Sequence, residues 1–144
     1  MKTHTRILAI PGILVLALVS SASADSLKLI ASVPFDFVVS NTTLPRGVYR
    51  VSRSDSARAI MIRGDRRGAV ALGQSATSGG NTEKTKLVFH RIGSQYFLRE
   101  VRFLDSTGLD LPETRTEREA AERIASGMMP AGVQRVEVPL MGRR

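Results

Sequence analysis

The chain of 144 residues contains no cysteine and no tryptophan, and it has only two histidines. Without cysteine there is neither a disulfide framework nor a thiol nucleophile, so the fold depends on its apolar core alone. After residue 24 a single histidine remains, His90, in a segment that alternates like a strand. A zinc site of histidine and cysteine ligands is therefore not expected. We interpret His90 as a packed or hydrogen-bonded side chain.

Motifs for phosphate and calcium binding are also missing. The glycine pair at 79–80 precedes Lys84, but its flanks do not predict the strand and helix of a phosphate-binding loop. Asp105, Asp110 and Glu113 flank a glycine-bearing loop at a spacing that fits no EF-hand. We expect no catalytic residue, no cofactor and no metal, and the chain is predicted not to be an enzyme.

The first 24 residues have the pattern of a signal peptide. Lys2 and Arg6 precede an apolar run over 7–20, and the small residues 22–24 offer a cleavage site after Ala24. The alternative is an uncleaved N-terminal anchor, although the run is short for a membrane span. The sequence thus predicts a signal peptide at 1–24 and an exported single domain at 25–144, periplasmic or extracellular, with no transmembrane segment after cleavage.

Charge of one sign predominates in the chain. The formal net charge is +8, and loss of Lys2 and Arg6 would leave +6. This balance favours polyanions, so an anionic envelope polymer is a candidate partner. Aromatic residues make up only 5% and alternate into predicted core positions, so no specific nucleic acid is expected. The alternative is a solubilising charge with no partner. The possible anion contacts lie on neighbouring predicted strands: Arg50, Arg91, Arg99 and Arg102.

Residues 27–39 alternate as a strand does. The side chains of Val33, Phe35, Phe37 and Val39 share one face, and Asp36 lies on the other, toward solvent. Pro34 predicts an edge strand or a bend, because proline cannot donate to a ladder. We expect four phenylalanines to be core residues and interpret Asp36 as a surface residue rather than an acid catalyst. The four are Phe35, Phe37, Phe89 and Phe103.

Further strands are predicted along the chain. After a loop at 40–43 and a turn at 44–47, they cover 48–53, 59–62 and 69–72, followed by a surface loop at 76–85. The clearest hairpin joins 86–92 to 96–104, with Phe97, Val101 and Phe103 on one face. Both faces are partly apolar, which indicates a covered strand pair. The chain ends in a short strand at 133–138 and a loose tail at 142–144.

One segment has helical character. Residues 114–126 are rich in Glu, Arg and Ala, and Gly127 fits a C-terminal stop. Thr116 with Glu119 predicts a capping box, and Thr114 with Glu117 offers a second register. The few small apolar residues predict a surface helix attached by a narrow stripe.

Four blocks resemble a group of small exported bacterial β-rich proteins of unassigned function. The blocks occur in the group's order and are VPFDFVV (33–39), LPRGVYRV (44–51), KLVFHRIGSQYFLREV (86–101) and LPETRTERE (111–119). The resemblance implies an exported β-rich protein and brings no site residues with it.

The sequence therefore predicts an all-β domain, a small antiparallel β-sandwich or partly open barrel, with one C-terminal surface helix. The expected role is a non-enzymatic binding or structural module of the cell envelope. Two alternatives remain open: an accessory protein that docks on anionic envelope polymers through arginines, or a small enzyme that uses Asp, Glu, Arg and Tyr groups.

Overall fold

The computed structural model describes residues 29–54, 58–77, 84–104, 107–127 and 132–142. The predicted signal peptide, the Gly79–Gly80 pair and Asp105 lie outside these ranges. Within them, no helix is long and apolar enough to cross a membrane. The elements are β1 (Leu29–Val33), β2 (Phe37–Val39), β3 (Thr42–Leu44), β4 (Gly47–Ser54), β5 (Ala59–Arg63), β6 (Gly68–Leu72), β7 (Gln74–Thr77), β8 (Lys86–Ile92), β9 (Gln95–Arg102), β10 (Thr107–Asp110), α1 (Arg115–Ala125) and β11 (Gln134–Gly142).

The strands form a single curved sheet. Its order is β3-β2-β9-β8-β11-β1-β4-β5-β6, and β10 joins β9 to β7 at the side. Neighbouring strands are antiparallel except for β2 and β9, which are parallel. At one end of this order, β6 contacts β2 and β3 at the other end, so the sheet nearly closes on itself. The predicted all-β domain with one helix is confirmed, in the form of the partly open barrel.

The stretch 27–39, predicted as one alternating strand, divides into the two strands β1 and β2. β1 pairs with β4 and β11, whereas β2 pairs with β3 and β9. Pro34 lies at the junction, where its missing N–H breaks the ladder. The predicted alternation continues through the break, because Val33, Phe37 and Val39 are buried while Asp36 is exposed.

Aromatic rings occupy the middle of the barrel interior. Phe37 and Phe89 are fully buried, with centroids 5.4 Å apart in an edge-to-face arrangement. Phe35 and Phe103 are only partly buried and pack against this core. The core prediction is thus confirmed for two phenylalanines, while the other two close the edge of the cluster.

The predicted faces of β9 are wrong at one point. The ladder between β8 and β9 shifts register at Arg99, the extra residue of a β-bulge. Leu98 and Val101 therefore both face the main core. Phe97 lies on the opposite face and packs with Ala120 of the helix. As predicted, both faces of this hairpin are covered, one by the barrel interior and the other partly by α1.

The helix begins in the second of the two predicted registers. Thr114 is the N-cap, and its Oγ1 accepts a hydrogen bond of 3.1 Å from the Glu117 N–H. Gly127 follows the helix with φ of +75°, a left-handed conformation that glycine adopts at low cost. Ala120 is buried and Ile124 partly buried, so a narrow stripe attaches the helix as predicted.

Four segments are more regular than predicted. β3, β7 and β10 lie at 42–44, 74–77 and 107–110, where the sequence analysis predicted loops or no strand. These three strands are short and consist mainly of small or polar residues without clear alternation, so sequence pattern misses them. β11 extends to Gly142 and lies between β8 and β1, rather than ending at Val138. In the order of the sheet, β11 therefore connects β3, β2, β9 and β8 on one side to β1, β4, β5 and β6 on the other.

Candidate functional site

The structure does not bring the four predicted anion contacts together. Arg50 is exposed on the outer side of β4. Arg91 lies one residue before the end of β8, where its guanidinium is 5.6 Å from the centre of the Tyr96 ring and its Nε donates to the Gly93 carbonyl. Arg99 and Arg102 each pair with acidic residues of the protein itself. Of the four, Arg50 alone makes no hydrogen bond or ion pair that the structure shows.

Arg102 belongs to a row of alternating charges on the outer side of the sheet, which we call the charge ladder. The ladder crosses four strands in the order Lys86, Glu137, Arg135, Glu100, Arg102 and Asp110, with nitrogen–oxygen distances between 2.9 and 3.3 Å. The hydrogen bond from Lys86 is the main cause that lowers the pKa of Glu137. Each cation of the ladder is therefore neutralised by a neighbouring carboxylate.

A buried acid holds the helix against the sheet. The side chain of Glu117 is only 3% exposed, and its two oxygens lie 3.3 Å from Arg99 Nη1 and 3.4 Å from His90 Nδ1. This carboxylate needs such partners, because an isolated charge is costly to bury. His90 is accordingly a side chain packed against an acid, as interpreted from the sequence, and Arg99 is occupied within the fold.

Asp36 is a surface residue with a structural contact. It is exposed, and its Oδ1 accepts a hydrogen bond of 2.7 Å from the Arg46 N–H. The hydroxyl of the nearby Tyr49 donates to the carbonyl of Pro45 in the same turn. Burial, followed by the charge of Asp36, raises the pKa of Tyr49. Asp36 therefore anchors the turn that joins β3 to β4, and the structure gives it no acid–base partner among the described residues.

Sequence reasoning missed the arginine that faces Arg50. In the ladder between β4 and β5, Arg63 stands directly opposite Arg50, and both side chains are exposed. Such cross-strand side chains have Cβ atoms about 4.5–5.5 Å apart. The strand was predicted to end at Ile62, which left Arg63 outside it, directly before the turn that begins at Gly64. Continuing the Met61/Arg63 alternation by one residue was the signal that could have found it.

Exposed apolar side chains surround this arginine pair. The two arginines and four apolar residues face outward from three adjacent strands, and we call this surface the arginine face: Val48, Arg50, Met61, Arg63, Val70 and Leu72. Val70 is 57% exposed and Leu72 is 64% exposed. Val70 stands directly opposite Met61 in the ladder between β5 and β6, so these apolar groups are neighbours rather than scattered.

No carboxylate lies on the strands that carry the arginine face. β4, β5 and β6 contain no Asp or Glu, and the turn between β5 and β6 contains Asp65. The charge ladder, by contrast, contains three acids among its six residues. Among the residues that the structure describes, the cations of the charge ladder are thus neutralised by carboxylates, whereas Arg50 and Arg63 have no carboxylate on their own strands.

The described residues also form two clefts, one away from the arginine pair and one bordering the arginine face at Leu72. One of about 240 Å³ is lined by Arg53, Arg58 and the hydroxyls of Thr77 and Thr107, among others. Arg53 donates to Thr107 Oγ1 at 2.9 Å, and its guanidinium lies 5.0 Å from the centre of the Phe103 ring. The second cleft, of about 380 Å³, is shallow and is lined by Leu72 of the arginine face and Asp110 of the charge ladder, together with Gln74 and Pro112. Among the residues that the structure describes, neither cleft contains a pair of acid–base groups.

No group of three potential metal ligands occurs in the described ranges. Asp110 and Glu113, considered for calcium from the sequence, do not form such a group, and Asp110 instead forms an ion pair with Arg102 at 3.2 Å. No protein-family model, curated protein or solved structure matches the chain.

Proposed function

We propose that the protein is an exported, non-enzymatic binding module that docks on an anionic component of the cell envelope through its arginine face. The observation that carries this proposal is the direct cross-strand pairing of Arg50 with Arg63 on strands that contain no carboxylate. Export and the envelope location are expectations from residues 1–24.

Like charges directly opposite one another destabilise a pair of strands. An anion that contacts both guanidiniums would remove this repulsion and gain charge-assisted hydrogen bonds. Arginine suits this role because its planar guanidinium matches phosphate, sulfate and carboxylate groups in a bidentate manner. The pair is therefore a better anion contact than a single exposed arginine elsewhere on the surface.

The charge ladder supports the same assignment by contrast. The charge ladder contains two arginines, as the arginine pair does. Unlike that pair, Arg102 and Arg135 form ion pairs with Glu100 and Asp110. A polyanion that approached this surface would have to compete with those carboxylates. The two charges of Arg50 and Arg63 are consequently available to an anion, whereas those of the charge ladder are matched within the fold.

The proposal is tested by retention on a heparin column at about 0.1 M salt, where the Debye length is about 10 Å. The variant Arg50→Gln/Arg63→Gln should elute at clearly lower salt than the unchanged protein. The matched control is Arg118→Gln/Arg123→Gln, which removes the same charge from two exposed positions on the helix. Equal elution of the two variants would show that net charge alone governs retention and would overturn the proposal.

A further inference from the structure

The arginine face combines cations with apolar side chains, and an anionic polymer uses only the cations. Val48, Val70 and Leu72 are each more than half exposed around the arginine pair. Single exposed apolar residues are ordinary on protein surfaces, but contiguous ones mark interaction sites. Val70 and Met61 are cross-strand neighbours, and Leu72 follows Val70 on the same side of β6. Met61, Val70 and Leu72 therefore form a contiguous apolar group on one side of the arginine pair, and Val48 lies on the other side.

We propose that the arginine face is a peripheral membrane-binding surface for anionic lipids, which names the partner for the function proposed above and depends on it. Guanidiniums at this surface would lie at the level of the phosphates, and the apolar side chains would enter the boundary between headgroups and acyl chains. Juxtaposition of the two side-chain types on one curved sheet matches the layered chemistry of a bilayer surface.

A second copy of the chain fits this surface poorly. In a two-fold symmetric dimer the same patch meets itself, which would bring the arginine pairs of both copies together. The strands of the face contain no acid that could pair with them. Charge complementarity therefore favours an anionic partner over self-association.

Single-stranded nucleic acid also fits poorly. Binding of such strands relies on aromatic side chains on which bases stack. The aromatic residue of β4, Tyr49, is buried in the core, and β5 and β6 contain none. The apolar groups that the face does offer are aliphatic, which suits acyl chains.

The first experiment measures the fraction of protein that sediments together with lipid vesicles. It uses the protein in the form in which the cell produces it. Vesicles of phosphatidylcholine alone are compared with vesicles of equal parts phosphatidylcholine and phosphatidylglycerol. We expect binding to the anionic vesicles and little to the neutral ones. Arg50→Gln/Arg63→Gln should bind the anionic vesicles about 30-fold more weakly. The helix control Arg118→Gln/Arg123→Gln should retain most of the affinity.

The second variant separates the membrane from a polymer. Val70→Ser/Leu72→Ser should keep its retention on heparin but lose about tenfold or more in affinity for anionic vesicles. Both side chains are exposed, so the fold should tolerate the change, and the thermal unfolding midpoint checks this. Unchanged vesicle binding by this variant would overturn the membrane proposal and leave docking on an anionic polymer intact. If the protein without substitutions is not retained on heparin at all, that result would instead refute the proposed function itself.

A spectroscopic measurement tests insertion without relying on affinity. Because the chain has no cysteine, Val70→Cys offers a single site for an environment-sensitive fluorophore. Its emission should shift to the blue on anionic vesicles but not on heparin. The same label at Glu122→Cys, on the exposed side of α1, should show no shift on either. A label at position 70 that stays in water on anionic vesicles would contradict the proposal.

Discussion

Phe37→Ala tests the core on which the barrel depends. The ring is 1% exposed, and it meets Tyr49 and Phe89 edge to face at centroid distances of 5.2 and 5.4 Å. Removing it forfeits the burial of the ring and both aromatic contacts, and it leaves a cavity between two rings held by other strands. We expect a loss of about 3–5 kcal/mol in the free energy of unfolding, typical of a fully buried phenylalanine. Denaturant unfolding measures it, as a lower midpoint with an unchanged slope.

Phe35 provides a matched control, since it is the same residue type two positions earlier on the same face. It is only partly buried and stacks on Tyr96 at 3.8 Å, so Phe35→Ala should cost less than Phe37→Ala. If Phe37→Ala prevents folding, Phe37→Leu should still fold, with a loss of about 1–1.5 kcal/mol. A loss below about 1 kcal/mol from Phe37→Ala, or a larger loss from Phe35→Ala, would refute the assignment of the core.

Three further predictions concern Asp36, Tyr49 and the predicted signal peptide at 1–24. Asp36→Asn should cost under about 0.5 kcal/mol because the amide oxygen can still accept from the Arg46 N–H, whereas Asp36→Ala should cost about 0.5–1.5 kcal/mol; equal denaturant midpoints for the two would count against this hydrogen bond. Because the pKa of Tyr49 is raised above its usual 10.0, its contribution to stability should be present below pH 10 and lost as pH rises through the higher value of the folded state. Tyr49→Phe should weaken this alkaline loss, and an identical pH profile would contradict it. Intact mass of the protein recovered from the periplasm or medium should show cleavage after Ala24, and a full-length species in the membrane fraction would disprove that.

Local pattern predicts most of the elements, because alternation and capping are properties of neighbouring residues. The strand around Phe37 and the helix after Thr114 follow from period, turn chemistry and propensity. The bulge at Arg99 does not, since an extra residue in one strand depends on the register of its partner. Because the predicted alternation ran through the bulge without a break, it assigned Phe97, which precedes Arg99, to the same face as Val101.

The candidate site depends on tertiary pairing, which is why the sequence indicates it only in part. The excess of arginine was visible, but which arginines are neutralised was not. Arg99 contacts Glu117, which lies 18 residues away in the sequence, and Arg135 contacts Glu100, which lies 35 residues away. Arg63 is a candidate only because the pairing of β4 with β5 places it opposite Arg50. Composition thus predicts attraction to polyanions, and the fold decides the surface on which it acts.

The most direct test of the proposed function is to map where an anion binds. Backbone amide shifts of isotope-labelled protein, followed during titration with a heparin oligosaccharide, report the location at each residue. We expect the largest changes on the strands of the arginine face, around Arg50 and Arg63, and only small changes on the charge ladder. Changes centred on the ladder or on α1, or small changes spread evenly over the described strands, would contradict the assignment.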